Sequence, residues 1–317
     1  MLIPPRYELN QKIILLVQRL ERLKTKFDLL PRHKILEKYT RQRSILKSAV
    51  YSARIEGNPR SLDVANLYQT LEFILGQSWT GNLVLSDIQR IHGLVLKGLS
   101  PEAGQMRSQP SAIFNTAGVA IYFCPPPPKL KLLLNQLLNF FNHSNEPIIP
   151  IKAALTHFTF EKIHPFLDGN GRVGRLLVHL ILKKYRWDLR GLIAFEEQLD
   201  NQRSRYYDLL ALSDKHVTSF IEFFLEILLK SLQETAKITS QKTIITTEEL
   251  LPPRRYEILQ IIRDHQQVSF NLLKRRFLAV SDRLLRYDLK KLQDVGLIKK
   301  RGVTKGAIYE PLASNPD

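Results

Sequence analysis

The chain has 317 residues, 44% of them hydrophobic, with one cysteine and a formal net charge of +17. That length allows two or three compact units around one large core, and the lone Cys124 excludes an internal disulfide and a cysteine-built zinc cage. No apolar run reaches membrane-spanning length and the start, Met1-Leu2-Ile3-Pro4-Pro5-Arg6, lacks a signal-peptide core, so no membrane role is expected and a cytoplasmic location is.

From Glu8 to Leu30 the residues Ile13, Ile14, Leu15, Val17, Leu20, Leu23 and Phe27 mark an amphipathic helix with Lys and Arg outward. Residues 1–60 hold 14 Lys and Arg against 5 Asp and Glu, a balance that a solvated helix face explains. In Ser52-Ala53-Arg54-Ile55-Glu56-Gly57-Asn58, the Glu-Gly pair reads as a helix stop. Further on, Ala112-Ile113-Phe114-Asn115 and Val119 to Cys124 are β-prone pieces around Thr116-Ala117-Gly118, which predicts a hairpin. The prolines 125 to 128 predict a stiff extended segment, and an amphipathic helix follows from about Leu130 to Phe141.

The run Ala153 to Ile163 reads as a helix that delivers His164 at its end. After it come Pro165-Phe166-Leu167-Asp168-Gly169-Asn170-Gly171-Arg172-Val173-Gly174-Arg175 and the apolar helix Leu176 to Leu180. This is the wiring of a nucleotide phosphate site. Glycines let the backbone approach phosphate oxygens, and a loop opening into a helix aims free N–H groups and the positive dipole end at them. Arg172 and Arg175, three residues apart, would share a face of the first turn and point at one anion. Asp168 suits Mg²⁺, which takes one or two protein oxygens beside substrate phosphates. Phe166 is expected in the core, orienting the loop.

Downstream, Tyr206 and Tyr207 could stack on a purine face, while Phe220, Phe223, Phe224 and Leu228 are spaced for a buried helix face. A polar stretch, Thr235 to Glu249, precedes a second basic region: residues 252–317 carry 14 Lys and Arg against 7 Asp and Glu. There a helix from Pro253 to His265 presents Tyr256, Ile258, Leu259, Ile261 and Ile262 near one face, and a second, capped by Ser269, runs to Phe277. After an Ala279-Val280 turn a third, capped by Ser281, spans Asp282 to Val295. It is expected to turn Leu284, Leu285, Leu289, Leu292 and Val295 inward and Arg283, Arg286 and Lys290 outward. Short β segments, Leu297 to Arg301 and Ala307 to Glu310, flank a wing from Gly302 to Gly306. The order resembles a winged helix-turn-helix, which implies DNA as a partner, with Arg283, Arg286 and Lys290 in the groove and Lys299, Lys300, Arg301 and Lys305 at the wing.

The twelve residues from His164 to Arg175 resemble the signature of Fic proteins, His-Pro-Phe-x-(Asp/Glu)-Gly-Asn-Gly-Arg-x-x-Arg, at every defined position. The resemblance covers about residues 1–235 and is strongest from Ala153 to Leu180. It implies a mainly α fold: a Fic-type helical core with a small β-hairpin flap, beside the C-terminal winged helix. The expected divisions are an N-terminal helical segment over 1–90, a catalytic core over 91–235, a linker over 236–251 and the winged helix over 252–317.

The resemblance also implies an activity. Such enzymes use ATP and Mg²⁺ to place AMP on a Ser, Thr or Tyr hydroxyl of a protein, releasing pyrophosphate. Carried over by position, His164 would be the general base and Asp168 would hold the metal. Asn170 with the amides of Gly169 and Gly171 would form the anion hole, and Arg172 and Arg175 would clamp the β- and γ-phosphates, with Gly174 inside this ATP-binding stretch. Tyr206 and Tyr207 would border the adenine; relatives often carry an asparagine further along this helix, where Asp214 stands nearest. Ser52 and Glu56 resemble the family's inhibitory helix, Ser/Thr-x-x-x-Glu-Gly/Asn, in which the glutamate competes with the γ-phosphate for the second arginine, here Arg175. The residues Ala112, Ile113, Phe114 and Asn115 would belong to a flap that docks a target segment as an added strand, although many relatives have a glycine where Ile113-Phe114 stands. The implied partners are a protein target, the chain itself among them, and a second copy in a homodimer. Two other readings remain open: a DNA-binding regulator or toxin–antitoxin-like switch that modifies only itself, and a Fic enzyme that moves another phosphate-containing group.

Overall fold

Asn10 starts the first helix by accepting the Ile13 amide on its side-chain oxygen at 2.9 Å, and α1 (Gln11–Asp28) then buries Ile13, Leu16, Val17, Leu20 and Phe27. In this computed structural model the described residues are 2–30, 34–57, 60–114, 120–211, 215–240, 251–277, 280–302 and 307–312. They fall into two units, Met1–Ser240 and Gln241–Asp317.

In the first unit α1 is followed by α2 (Lys34–Ile55), α3 (Ser61–Gly76) and α4 (Leu85–Val95). The flap comes next, with β1 (Ala112–Phe114) antiparallel to β2 (Ala120–Phe123) and a shift of register between Ile113 and Phe114. Its turn, residues 115–119, lies outside the described residues. Helix α5 (Pro127–His143) begins about three residues before the expected start at Leu130. Pro127 and Pro128 are its first two residues, where a missing N–H costs nothing because that amide has no partner in a helix anyway. Then come α6 (Ile149–Ile163), α7 (Asn170–Lys184), a 3-10 turn at Leu189–Gly191, α8 (Glu196–Asp200), α9 (Arg203–Ala211) and α10 (Thr218–Ser240). The last of these carries the chain through the start of the polar stretch read as a linker.

Helices α6 and α7 form the central pair, and α5, α3 and α10 pack around them. From Pro150 to Ile163 every residue of α6 is buried, so the helix has no solvent face. Helix α2 lies against α3 and α8. The N-terminal helices therefore share one hydrophobic core with the rest of the unit. Phe220, Phe223, Phe224 and Leu228 of α10 are in that core, each burial stabilising by roughly 1.5–3 kcal/mol. Among the described residues no helix is long and apolar enough to cross a membrane.

The second unit runs α11 (Pro253–His265), β3 (Val268–Ser269), α12 (Phe270–Arg276), α13 (Asp282–Asp294), β4 (Ile298–Arg301) and β5 (Ile308–Pro311). The three strands form an antiparallel sheet in the order β3-β5-β4. Ser269 and Ser281 cap α12 and α13 through their side-chain oxygens. The core is Ile258, Leu259, Ile262, Val268, Leu273, Leu285, Leu289, Leu292, Ile298 and Tyr309, with Phe270 at its edge. Three residues expected inside are exposed instead: Tyr256, Leu284 and Val295. The apolar stripe of α13 is narrower than its leucine count suggests, because α11, α12 and β4 pack on it and bury only the Leu285-Leu289-Leu292 line. Residues 278–279 and 303–306, with Ala279 and Lys305, lie outside the described residues.

Candidate functional site

His164 caps the C-terminus of α6 in a left-handed conformation, φ 48° and ψ 59°, while its amide still bonds the Phe160 carbonyl at 3.0 Å. Only a sharp reversal there lets the chain leave one buried helix and enter the loop before another. The ring is fixed in a useful sense. Nδ1 lies 3.3 Å from the Glu161 carbonyl, which can only accept, so Nδ1 carries the proton and Nε2 is left as an acceptor. Burial pushes the imidazole below its ordinary range and keeps it neutral.

The loop from Pro165 to Gly169 is closed on itself. Phe166 donates its amide to Asn170 Oδ1 at 2.9 Å, and Asn170 Nδ2 returns a bond to the Phe166 carbonyl at 2.8 Å. The Asn170 side chain, carried over as part of an anion hole, is engaged in holding the loop. Gly169 caps α7 at φ 79°, so the first amides of α7 open toward the loop without helical acceptors. Phe166 is buried and its ring stacks on His92 at 3.7 Å with the planes 4° apart. His92 accepts the Gly104 amide on Nδ1 at 2.8 Å and donates from Nε2 to the Asp168 carbonyl at 3.0 Å, which pins the back of the loop.

The two arginines are both buried, but they face different acids. Arg172 donates from one terminal nitrogen to Asp63 at 2.7 Å and from the other to both oxygens of Asp168, each at 2.9 Å. The Asp168 carboxylate is 68% exposed and also accepts the Gly169 amide, so it sits at the mouth of the loop. Arg175 is 1% exposed and is held by the end of α2. Its Nε donates to Ser52 Oγ at 2.9 Å, and one terminal nitrogen donates to the Ser52 carbonyl at 2.9 Å and to Glu56 Oε1 at 2.7 Å. Gly171 makes room for this, since an added Cβ there would collide with Glu56 Oε1. Asn58 lies outside the described residues.

Glu56, His164, Gly171 and Arg175 line one cavity of about 140 Å³ together with Ile113, Tyr122, Glu161, Tyr206, Tyr207, Leu210 and Ala211. Tyr206 is buried, its hydroxyl 2.8 Å from His157 Nε2, and Tyr207 donates its hydroxyl to the Ile55 carbonyl at 3.1 Å, tying α9 to the end of α2. Gly174 is packed against His157 and Glu161. Of the flap residues, Ala112 and Ile113 are half-buried; nothing is described of the Phe114 side chain, and Asn115 and Asp214 lie outside the described residues.

Several residues that build this site carried no sequence signal. Arg107, buried beside the flap, donates to the carbonyls of His164 at 2.7 Å, Gln109 at 2.8 Å and Pro125 at 2.6 Å, stitching both flap ends to the histidine. Asp63 and His92 act from 109 and 76 residues away, a separation that no local pattern reveals. Glu161 and His157 could have been found: charged and polar residues in a helix buried all round call for a reason.

Comparison with known proteins gives this arrangement a place. Residues 82–182 match the family described as Fic/DOC. The chain carries a Fic domain. It is 30% identical over 155 residues to the protein adenylyltransferase Fic of Drosophila melanogaster and 31% identical over 154 residues to that of Drosophila ananassae. The matched stretch is close to half of this chain, 48% and 47%, but spans only 29% of the length of either relative. Among solved structures, a Fic family protein from Desulfovibrio desulfuricans aligns over 99% of both chains with a TM-score of 0.63 at 23% identity. One form of the Fic-1 protein of C. elegans aligns over 71% of this chain and 72% of that one with a TM-score of 0.56, and a second form over 72% and 71% with a TM-score of 0.55, both at 19% identity. These likenesses give the fold: a helical Fic domain whose loop and helix N-terminus hold His164 and the two arginines.

In the second unit, Arg283, Arg286 and Lys290 are exposed on α13, with Arg286 lying 4.0 Å over the Phe270 ring. Lys299 and Arg301 turn toward Glu310, each at 3.4 Å, so part of the wing charge is spent within the sheet. Asp288 is buried and accepts from Arg254 at 2.6 Å and Arg255 at 2.8 Å, which joins α11 to α13.

Proposed function

We propose that the protein is a protein adenylyltransferase held in check by its own α2. ATP would place its phosphates over the first turn of α7, with the free amides there and Arg175 as the γ-phosphate's partner. The acceptor hydroxyl attacks the α-phosphorus, the bond from that phosphorus to the bridging oxygen breaks, and pyrophosphate leaves. The hydroxyl's proton passes to His164 Nε2, the ring atom left as an acceptor by the Nδ1 contact to Glu161. Asp168 offers one exposed carboxylate at the loop mouth, a donor set that fits Mg²⁺ beside substrate phosphates; the bound ion would neutralise charge on the departing pyrophosphate. Tyr207 and the α9 side of the cavity would border the base, and the flap would present the acceptor segment beside His164.

The observation that carries this reading is Arg175, whose Nε bonds Ser52 and whose terminal nitrogen bonds Glu56. A guanidinium occupied in that way cannot also grip a γ-phosphate. Incubation of wild-type, Glu56→Gly and His164→Ala proteins with α-labelled ATP, Mg²⁺ and a cell lysate tests it. Label transfer should rise about tenfold or more in Glu56→Gly, the scale of one charged hydrogen bond, and fall roughly 10²–10⁴-fold in His164→Ala. Equal label with His164→Ala would sink the mechanism.

A second reading concerns the partner of the C-terminal unit. Arg283, Arg286 and Lys290 make no ion pair among the described residues, which favours a polyanion such as DNA on that face of α13. A mobility shift that weakens steeply with salt supports it, and no shift at low salt removes it.

A further inference from the structure

Two glycines one turn apart on α7 each leave a notch, and a carboxyl group fills each notch. An added Cβ on Gly171 would collide with Glu56 Oε1, and one on Gly174 would collide with Glu161 Oε1. Glu56 follows the end of α2, whereas Glu161 belongs to α6, one turn before His164. Both line the cavity that Arg175 lines. Neither Glu161 nor Gly174 is a defined position of the signature.

The two carboxyls differ in how they are satisfied. Glu56 Oε1 accepts from Arg175, but Glu161 Oε1 is buried without a hydrogen-bond partner, and so is His157 Nδ1, 3.8 Å away. A buried acceptor left unmade is costly and calls for a role. The groups facing Glu161 are His157 on α6, Arg175 on α7, Glu56 after α2, Tyr206 and Tyr207 on α9, and Cys124 after the flap. Burial pushes the Glu161 carboxyl up to about 8; Arg175 opposes that rise and Glu56 adds to it. While Glu56 holds Arg175, Glu161 is therefore neutral near pH 7. Once Glu56 withdraws, its repulsion is gone and Arg175 becomes a buried cation without a counter-ion, which favours ionisation of Glu161.

We propose that Glu161 is a second carboxylate partner for Arg175, a positioning residue that takes the guanidinium when Glu56 withdraws and yields it to the terminal phosphate of a nucleoside triphosphate. The proposal rests on Arg175 being that phosphate's ligand. The only bonds exchanged are to a proton: Glu161 releases one to solvent as Glu56 leaves and regains one as the phosphate arrives. Nucleotide binding to the released protein is then coupled to proton uptake and weakens as pH rises.

The test uses the whole chain carrying Glu56→Gly and a non-hydrolysable ATP analogue, titrated calorimetrically in buffers of different ionisation enthalpy as pH rises from acid toward about 8, the Glu161 value while a negative group shares its cavity. Net proton uptake is expected, with affinity falling by up to ~tenfold per pH unit across that window. Both effects should be lost in Glu56→Gly/Glu161→Gln, and the difference between the two proteins cancels the analogue's own titration. Glu56→Gly/Gly174→Ala, which closes the notch, should match the Gln variant and gives the same reading by another route. Binding with no proton uptake, or with uptake that Glu161→Gln leaves unchanged, overturns the proposal while the Arg175 reading stands. An Arg175→Ala change in the Glu56→Gly protein that leaves binding of the analogue intact overturns both.

Discussion

Arg172 and Arg175 stand one turn apart on α7, with the same chemistry and nearly the same burial, yet the acids that face them are held very differently. Arg172 meets Asp63, which is buried in the first turn of α3 and also accepts the Arg60 amide at 3.0 Å, and Asp168 in the loop itself. Arg175 meets Glu56, whose side chain is 33% exposed and which sits in the turn after α2, next to Gly57 at φ 130°. One arginine is tied into the frame through a buried acid; the other is held by a half-exposed acid in the turn after α2, where the proposed release would act. The difference teaches that two neighbouring buried guanidiniums can be held with unequal security according to how their acids are anchored.

Asp63 is the residue whose loss should show the anchoring of Arg172 most strongly. Asp63→Asn should cost about 3–5 kcal/mol of stability in denaturant unfolding, because it strips a buried cation of its buried partner. A loss below about 1 kcal/mol would mean that Arg172 is no more anchored than Arg175.

The surroundings of Arg175 also respond to pH. Glu161 is raised from 4.5 to about 8 in the folded chain, so the stability it contributes as a neutral acid is intact below 4.5 and is lost as pH rises toward 8. His157 is lowered from 6.5 to about 3 by burial and by Arg175, so its share is intact above 6.5 and is lost as pH falls toward 3. Glu161→Gln should therefore gain on the wild type as pH rises between 4.5 and about 8, by up to about 1.4 kcal/mol per pH unit. Melting temperatures that stay parallel across that range would contradict the assignment.

The smallest expected effect comes from Ser52→Ala. It removes the acceptor for Arg175 Nε while leaving Glu56 in place, and should weaken the hold of α2 by about 1 kcal/mol, raising label transfer about fivefold. Transfer unchanged by this substitution would place the whole restraint on Glu56.

Much of the site was legible because it is contiguous. His164 to Arg175 places base, loop and arginines in twelve residues, and a helix ending at His164 was readable from the apolar run before it. What the sequence hid is non-local. Asp63 reaches Arg172 across 109 residues and Arg107 reaches His164 across 57, so neither had a spacing to betray it. Other misses were local competitions. Pro127 and Pro128 look like chain breakers but suit a first helical turn, and Leu284 and Val295 look like core yet lie off the line of α13 that is buried. The β3 strand, two residues long, is defined by its pairing with β5 and has too few residues to alternate.

In the proposed mechanism Glu56 and a nucleotide's terminal phosphate compete for Arg175. Measuring the affinity of a non-hydrolysable ATP analogue for wild-type, Glu56→Gly and Glu56→Gly/Arg175→Ala proteins tests it most directly. Binding should tighten by about tenfold or more in Glu56→Gly and be lost again with Arg175→Ala. Equal affinity in all three proteins would contradict it.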